Sequence, residues 1–308
     1  MNTTADPVIV DHLTVRYGKT TAVDDVSFSV GSGQVYALLG RNGAGKSSTI
    51  SCLVGQRKAA SGECRIFDMD TWRSRRHVMA RVGVVPETPD IPPGTSAREL
   101  GRFLGRIRPV FNAEDYEGRL ERVGVPRRLP SGSLSKGQRR QLALAAALAT
   151  EPEVLILDDP TLGLDAVVRR ILLEELVGEL ADRGTTVLVT THDLTGIEGI
   201  ADRVGIMQQG RLVYDEPMDG LKDRFRRLRC VLSNGCSAAE VEHALKPLEP
   251  AVVRVVGAGL DAVIGRANHD AVRAFREITG IAEVEIEPLG LEEIFVALCG
   301  DDENGGEQ

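Results

Sequence analysis

No stretch of this 308-residue chain approaches the roughly 18 consecutive apolar residues that a membrane-spanning helix requires. The opening MNTTADPVIVD has neither the basic segment nor the apolar core of a secretion signal. Together these absences predict a cytoplasmic protein that reaches any membrane only through a partner. Cysteine is sparse: Cys52, Cys64, Cys230, Cys236 and Cys299 are scattered, odd in number and without a CxxC pair. Buried thiols in a reducing compartment are therefore expected, not a disulfide framework. The five histidines (His12, His77, His192, His243, His269) show no i,i+4 pairing, which argues against a structural zinc site. Aromatic residues make up only 4%. Positive charge is also in deficit, with 37 Lys and Arg against 45 Asp and Glu, a formal net charge of -8. A chain this acidic has no overall field for wrapping nucleic acid, so no nucleic-acid partner is expected. No internal repeat is visible.

What is present suits a packed, soluble chain of two domains: 42% of residues are apolar and 27% charged. The segments VIVDHLTVRY, VSFSV and QVYALL read as strands, as do RVGVV, VLILD and TTVLVTT. STISCLVG, SARELGRFLGRI, QRRQLALAAALAT and VVRRILLEELVGELADRG read as helices between them. Strands alternating with helices predict an α/β fold with a largely parallel sheet covered on both faces. RVGIMQQGRLVYDEP reads as a hairpin turning at Gln209-Gly210. The pattern changes near residue 222, where KDRFRRLR places five Lys or Arg in eight residues. This run reads as a solvated linker or helix face, with contact to anionic lipid as the second possibility. Beyond it a smaller α+β appendage follows, and the acidic tail DDENGGEQ is expected to be disordered.

One segment carries chemistry directly. Gly40-Arg41-Asn42-Gly43-Ala44-Gly45-Lys46-Ser47 fits G-x-x-x-x-G-K-[ST] between a strand and a helix. Its glycines allow a tight loop whose N–H groups converge on phosphate oxygens, and the helix that follows adds its unpaired N–H groups and dipole. The candidate nucleotide-binding residues here are Gly40, Asn42, Gly43, Ala44, Gly45, Lys46, Ser47 and Ser48. Lys46 is placed to lie across the β- and γ-phosphates and the Ser47 hydroxyl to take a Mg²⁺ position.

Further motifs follow in order. Leu134-Ser135-Lys136-Gly137-Gln138 opens a helix with Ser135 as its N-cap. Val154-Leu155-Ile156-Leu157-Asp158 is an apolar strand ending in a carboxylate; Asp159-Pro160-Thr161, Gly163-Leu164-Asp165 and Thr191-His192-Asp193 come after it. With these, the chain over residues 8–220 resembles the ATP-binding subunits of ABC transporters, with a helical insert at about 88–133. The resemblance implies a P-loop fold of the ABC type, a parallel sheet core with an antiparallel β subdomain and a helical insert, plus an accessory domain over 225–300 and the tail 301–308. It implies that Tyr17 stacks on adenine, that Asp158 holds Mg²⁺ and that the carboxylate after it polarises the attacking water. It further implies that His192 contacts the γ-phosphate, and that Ser135, Gly137 and Gln138 face the ATP of a second cassette. Asp165 would lie at that dimer interface, formed with an identical or a different cassette. ATP and Mg²⁺ are the implied cofactors and a separate integral-membrane permease the implied partner, with the chain on the cytoplasmic face of the membrane.

Three positions depart from the commonest family pattern. Lys136 replaces a glycine in the signature, Glu87 replaces a glutamine that contacts Mg²⁺ and water, and Asp159 replaces the glutamate held to act as general base. Glu87 resembles the exporter subgroup, of the ABC-2-like drug and peptide type, as does the closing segment Glu285–Phe295. Asp159 is one methylene shorter than glutamate, and a ~1 Å misplacement costs on the order of a hundredfold in rate. Slow turnover is expected, and an ATP-binding regulatory protein with weak hydrolysis is the alternative reading. The insert's apolar residues Leu100, Phe103, Leu104 and Ile107 are expected to serve as core rather than docking surface.

Overall fold

The computed structural model describes residues 6–161, 169–173, 176–177, 183–191, 194–232, 238–257, 259–266, 272–273, 275 and 281–300. His192, Asp165, Cys236, most of the helices expected at 167–184 and 269–280, and the tail 301–308 lie outside the described residues. The chain divides into two compact units, Met1–Asp215 and Glu216–Gln308.

The first unit is organised by β3 (Val35–Gly40), in which every residue is buried. An uninterrupted run of apolar residues has no solvent face and belongs inside a parallel sheet. β8 (Thr186–Thr191) is likewise buried throughout. Together with β6 (Val82–Val85), β7 (Val154–Asp158), β9 (Arg203–Gln208) and β10 (Arg211–Pro217), these strands form a six-stranded sheet in the order β10-β9-β3-β8-β7-β6. β3 pairs in parallel with β8 and β9, and β7 in parallel with β8 and β6. β9 and β10 flank the expected turn, where Gln209 and Gly210 have φ of 48° and 83°, the pair of positive values a type I′ hairpin demands.

A second sheet comprises β1 (Val8–Tyr17), β2 (Thr20–Val30), β4 (Ser61–Ile66) and β5 (Met69–Asp70), in the order β2-β1-β4-β5 with antiparallel pairing. Its alternating apolar residues, Val8, Val10, Leu13 and Val15 among them, share one core with Tyr36, Leu38 and the helix α1 (Lys46–Leu53). The fold expected from the sequence, a parallel core with an antiparallel β subdomain, is the fold observed.

Among the helices that follow α2 (Arg75–Met79), the insert supplies α3 (Ala97–Ile107) and α4 (Ala113–Arg122), which pack on α5 (Lys136–Leu148). Ser96 caps α3 reciprocally with Glu99: the Glu99 N–H donates to the Ser96 hydroxyl at 3.3 Å and the Ser96 N–H donates to the Glu99 carboxylate at 2.8 Å. The expected apolar stripe divides. Leu100 and Leu104 join the core with Tyr116, Leu120 and Leu142, while Phe103 and Ile107 are 55% and 56% exposed.

In the second unit β11 (Arg226–Leu232), β12 (Pro250–Val256), β13 (Gly259–Ile264) and β14 (Ile281–Pro288) make an antiparallel sheet in the order β12-β13-β11-β14. A helix, Ala238–Leu245, lies in the sequence between β11 and β12, and residues 272, 273 and 275 are helical between β13 and β14. This is the split βαβ, ferredoxin-like arrangement. Leu228, Cys230, Leu260, Ala262 and Ile264 pack with Val241, Leu245 and Phe275. The basic run is not a linker: it forms the end of the helix Met218–Arg224 and the strand β11. Its arginines are neutralised within the unit: Arg224 by Glu216 at 2.6 Å, Arg226 by Asp223 at 3.0 Å, Arg227 by Glu293 at 3.1 Å and Arg229 by Glu287 at 3.2 Å. The thiols of Cys52, Cys64, Cys230 and Cys299 are buried, as expected, and burial pushes the Cys52 thiol up to about 11. Among the described residues no helix is long and apolar enough to cross a membrane.

Tyr36 joins the two sheets of the first unit. Its ring is fully buried and stacks on Phe28 at 4.9 Å, while its hydroxyl donates to Asp215, which also binds Arg203 at 2.7 Å. Gly205 lies directly against that hydroxyl, so a Cβ there collides with it. Gly205→Ala should lower stability by about 1–3 kcal/mol through overpacking. Because the obstructing atom is the hydroxyl oxygen, Tyr36→Phe added to Gly205→Ala should recover part of that loss, and a double-mutant cycle in urea measures both.

Candidate active site

Parallel pairing fixes where the chemistry-bearing residues fall. β3, β6, β7 and β8 run in one direction, so Gly40, Pro86-Glu87, Asp158-Asp159 and Thr190-Thr191 all emerge at the carboxyl edge of one sheet. The loop Gly40–Ser47 leaves β3 at this edge and turns straight into α1. Gly43 and Gly45 have φ of 83° and 106°, values that L side chains rarely adopt. Space restricts Gly45 as well, since a Cβ there would sit 2.6 Å from the Ala22 carbonyl oxygen. Gly43 by contrast faces open space, with nothing within 4 Å of a Cβ position. Ala44 and Gly45 are buried beneath the loop, whereas Asn42, Gly43 and Ser47 are exposed. The Lys46 ammonium donates to the carbonyls of Gly40 at 2.5 Å and Arg41 at 3.2 Å, arching over the loop it belongs to.

Asp158 closes β7 opposite this loop. One of its carboxylate oxygens accepts from the Ser47 hydroxyl at 3.4 Å and from the Thr190 hydroxyl at 2.6 Å. Asp159 follows with φ of 50°, a left-handed conformation for which aspartate is better suited than most residues. Its N–H donates to the Thr190 carbonyl at 2.9 Å and to the Thr190 hydroxyl at 3.1 Å. At the end of β8 the Thr191 hydroxyl meets that of Thr161, three residues beyond β7, at 3.3 Å.

The remaining candidates divide between this edge and other surfaces. Tyr17 is 45% exposed, and its hydroxyl lies 3.4 Å from that of Ser48 on α1. The Arg57 guanidinium covers its ring at 3.8 Å. Ser135 and Gln138 form a capping box at the exposed start of α5: the Gln138 N–H donates to the Ser135 hydroxyl at 3.1 Å and the Ser135 N–H to the Gln138 side-chain oxygen at 3.0 Å. Gly137 sits between them, half-buried. Glu87 is exposed; its backbone carbonyl accepts from the Arg140 guanidinium at 2.9 Å, while among the described residues its carboxylate forms no hydrogen bond or ion pair. Sequence reasoning missed Thr190, Arg57 and Arg140. The first is signalled only by a hydroxyl beside the last residue of a buried strand. The other two lie far along the chain from Tyr17 and Glu87.

The donor set suits Mg²⁺. Ser47 and Asp158 offer two hard oxygens on opposite walls, and among the described residues no cluster of three His, Cys, Asp or Glu forms an all-protein cage. Such a site leaves most positions around the ion to water and phosphate oxygens, the habit of Mg²⁺.

A glycine loop before a helix N-terminus, a lysine over it and a carboxylate on the facing strand define a P-loop nucleotide hydrolase. The family model of the ABC transporter matches residues 23–162. The bacitracin transport ATP-binding protein BcrA of Bacillus licheniformis is 35% identical over 218 residues, 70% of this chain and 71% of that protein. The Nod factor export ATP-binding protein I of Mesorhizobium japonicum is 30% identical over 311 residues, 96% of this chain and 88% of that protein, so this likeness runs through the second unit. Among solved structures, an ATP-binding subunit of an ABC transporter superposes with a TM-score of 0.64 at 28% identity, covering 70% of this chain and 92% of that one. The chain belongs to the ABC transporter family, as an ATP-binding subunit. It binds and hydrolyses ATP and serves a membrane transporter.

A Lys46 ammonium lying on phosphate would make a charge-assisted contact of the kind that contributes about 1.5–3 kcal/mol. Lys46→Ala should therefore weaken ATP binding roughly ten- to a hundredfold in a calorimetric titration, with the unfolding midpoint nearly unchanged.

Proposed function

We propose that this chain is the energising ATPase of a membrane exporter, held on the cytoplasmic face of the membrane by a separate permease and active as a pair of cassettes. The cassette spans residues 8–220 and the accessory domain residues 225–300. The observation that carries the reading is the join between Ser47, Asp158 and Thr190, which brings the phosphate loop and the carboxylate strand together at one sheet edge. The export assignment draws on relatives named for bacitracin transport and Nod factor export.

In this reading the backbone of Gly40–Ser48 cradles the phosphates, Lys46 leaves its own loop carbonyls to lie across the β- and γ-phosphates, and Tyr17 stacks on the adenine. Ser47 and Asp158 would hold Mg²⁺, which supplies charge neutralisation at the phosphate oxygens when bound. Asp159 accepts the proton of the attacking water, and His192 and Glu87 order the water at the γ-phosphate. Ser135, Gly137 and Gln138 lie at the N-terminus of α5, where unpaired N–H groups favour an anion. They receive the γ-phosphate of the ATP bound to the mate, with Asp165 between the two sites. Neither cassette alone supplies every donor, so ATP closes the pair and its hydrolysis releases it.

The regulatory alternative, ATP binding with weak hydrolysis, draws on the short reach of Asp159. Comparing turnover of the wild type and Asp159→Glu, with and without the permease, tests both readings. A rise on the order of tenfold or more for the longer side chain is expected from the reach argument. No rise refutes it, and no stimulation by the permease refutes the energising role.

A further inference from the structure

The proposed roles of Asp158 and Asp159 require two consecutive carboxylates to point in different directions at fixed positions. We propose that Thr190 is the positioning residue that sets both, through a single hydroxyl. This inference rests on the assignment of Asp158 and Asp159 given above.

The geometry leaves this hydroxyl little choice. Thr190 is fully buried on β8, in register with Asp158 on the adjacent strand. A hydroxyl has one proton and two lone pairs. At 2.6 Å from the Asp158 oxygen its proton goes to that carboxylate, at the short distance characteristic of an O–H donor on an anion. A lone pair then receives the Asp159 N–H at 3.1 Å, which the Thr190 carbonyl shares at 2.9 Å. The same oxygen thus orients the Asp158 carboxylate and helps to hold the Asp159 backbone at φ 50°. The Asp158 oxygen it grips is also the one facing the Ser47 hydroxyl, so the grip determines which oxygen remains for the ion.

A β-branched residue in a buried strand is also ordinary packing, and the experiment separates the two roles. Thr190→Val keeps the shape and removes the hydroxyl. The Asp159 N–H still has the Thr190 carbonyl, so no buried donor is orphaned and the fold should hold. For Thr190→Val we expect kcat to fall about ten- to a hundredfold, with ATP affinity in EDTA changed less than about threefold. The Mg²⁺ concentration that half-saturates the tightening of nucleotide binding, read with a fluorescent ATP analogue, should rise about tenfold. Thr190→Ser should restore both readouts. Wild-type kcat and Mg²⁺ dependence in Thr190→Val, or a serine variant as impaired as the valine one, overturns the proposal. Should the valine variant not fold, Thr190→Ala carries the same readouts with the same outcomes. Asp158→Asn is the control for the reading beneath. If it leaves the Mg²⁺ effect intact, the assignment of Asp158 fails whatever Thr190 does. If it abolishes the effect while Thr190→Val does not change it, only the present proposal falls.

Discussion

Parallel pairing of buried strands is the constraint on which the rest of the molecule depends. β3, β8 and β7 are buried almost to their last residue, so they enter the sheet without a solvent face and must run side by side. Polar residues are then permitted only where the strands end. Gly40, Thr190 and Asp158 lie at those ends, and the sheet registers hold them together. The antiparallel sheet closes the core beneath, through Tyr36 and Phe28, and leaves the opposite edge to chemistry.

Much of this was legible in the amino-acid order. The P-loop carries its own geometry, because glycine at 43 and 45 supplies the positive φ that the loop needs. The strand VLILD ends in its carboxylate as read, and Ser135 caps α5 as its hydroxyl and the Gln138 three residues on suggest. The Gln209-Gly210 turn was equally plain. What the order concealed were contacts between residues far apart in it. Arg57 over Tyr17 and Arg140 on the Glu87 carbonyl depend on how separate elements come together, and nothing local marks them. Amphipathic spacing also failed to separate Leu100 and Leu104, which are core, from Phe103 and Ile107, which are surface. A helix stripe wider than its partner leaves its flank exposed.

The basic run shows the same limit in electrostatic form. Composition alone counts five cations in eight residues and suggests a solvated linker or helix face, with contact to anionic lipid second. Strand pairing sets Arg227 and Arg229 opposite Glu287, Asp261 and Glu285, so the field cancels across the sheet. Each exposed pair contributes little to stability, about 0–1 kcal/mol. Their combined effect is on specificity of strand register, since a one-residue slip would bring apolar and charged side chains to the wrong faces.

If two cassettes pair as proposed, the capping box of α5 bears on how quickly they can part. Ser135 accepts the Gln138 N–H with a lone pair, so its hydroxyl proton stays available to an incoming anion. In the proposed pair, docking a mate's phosphate and keeping the helix start wound are therefore compatible, not competing. Opening and closing of the pair can proceed as rigid surfaces separating, with no unravelling and rewinding of a helical turn in each cycle.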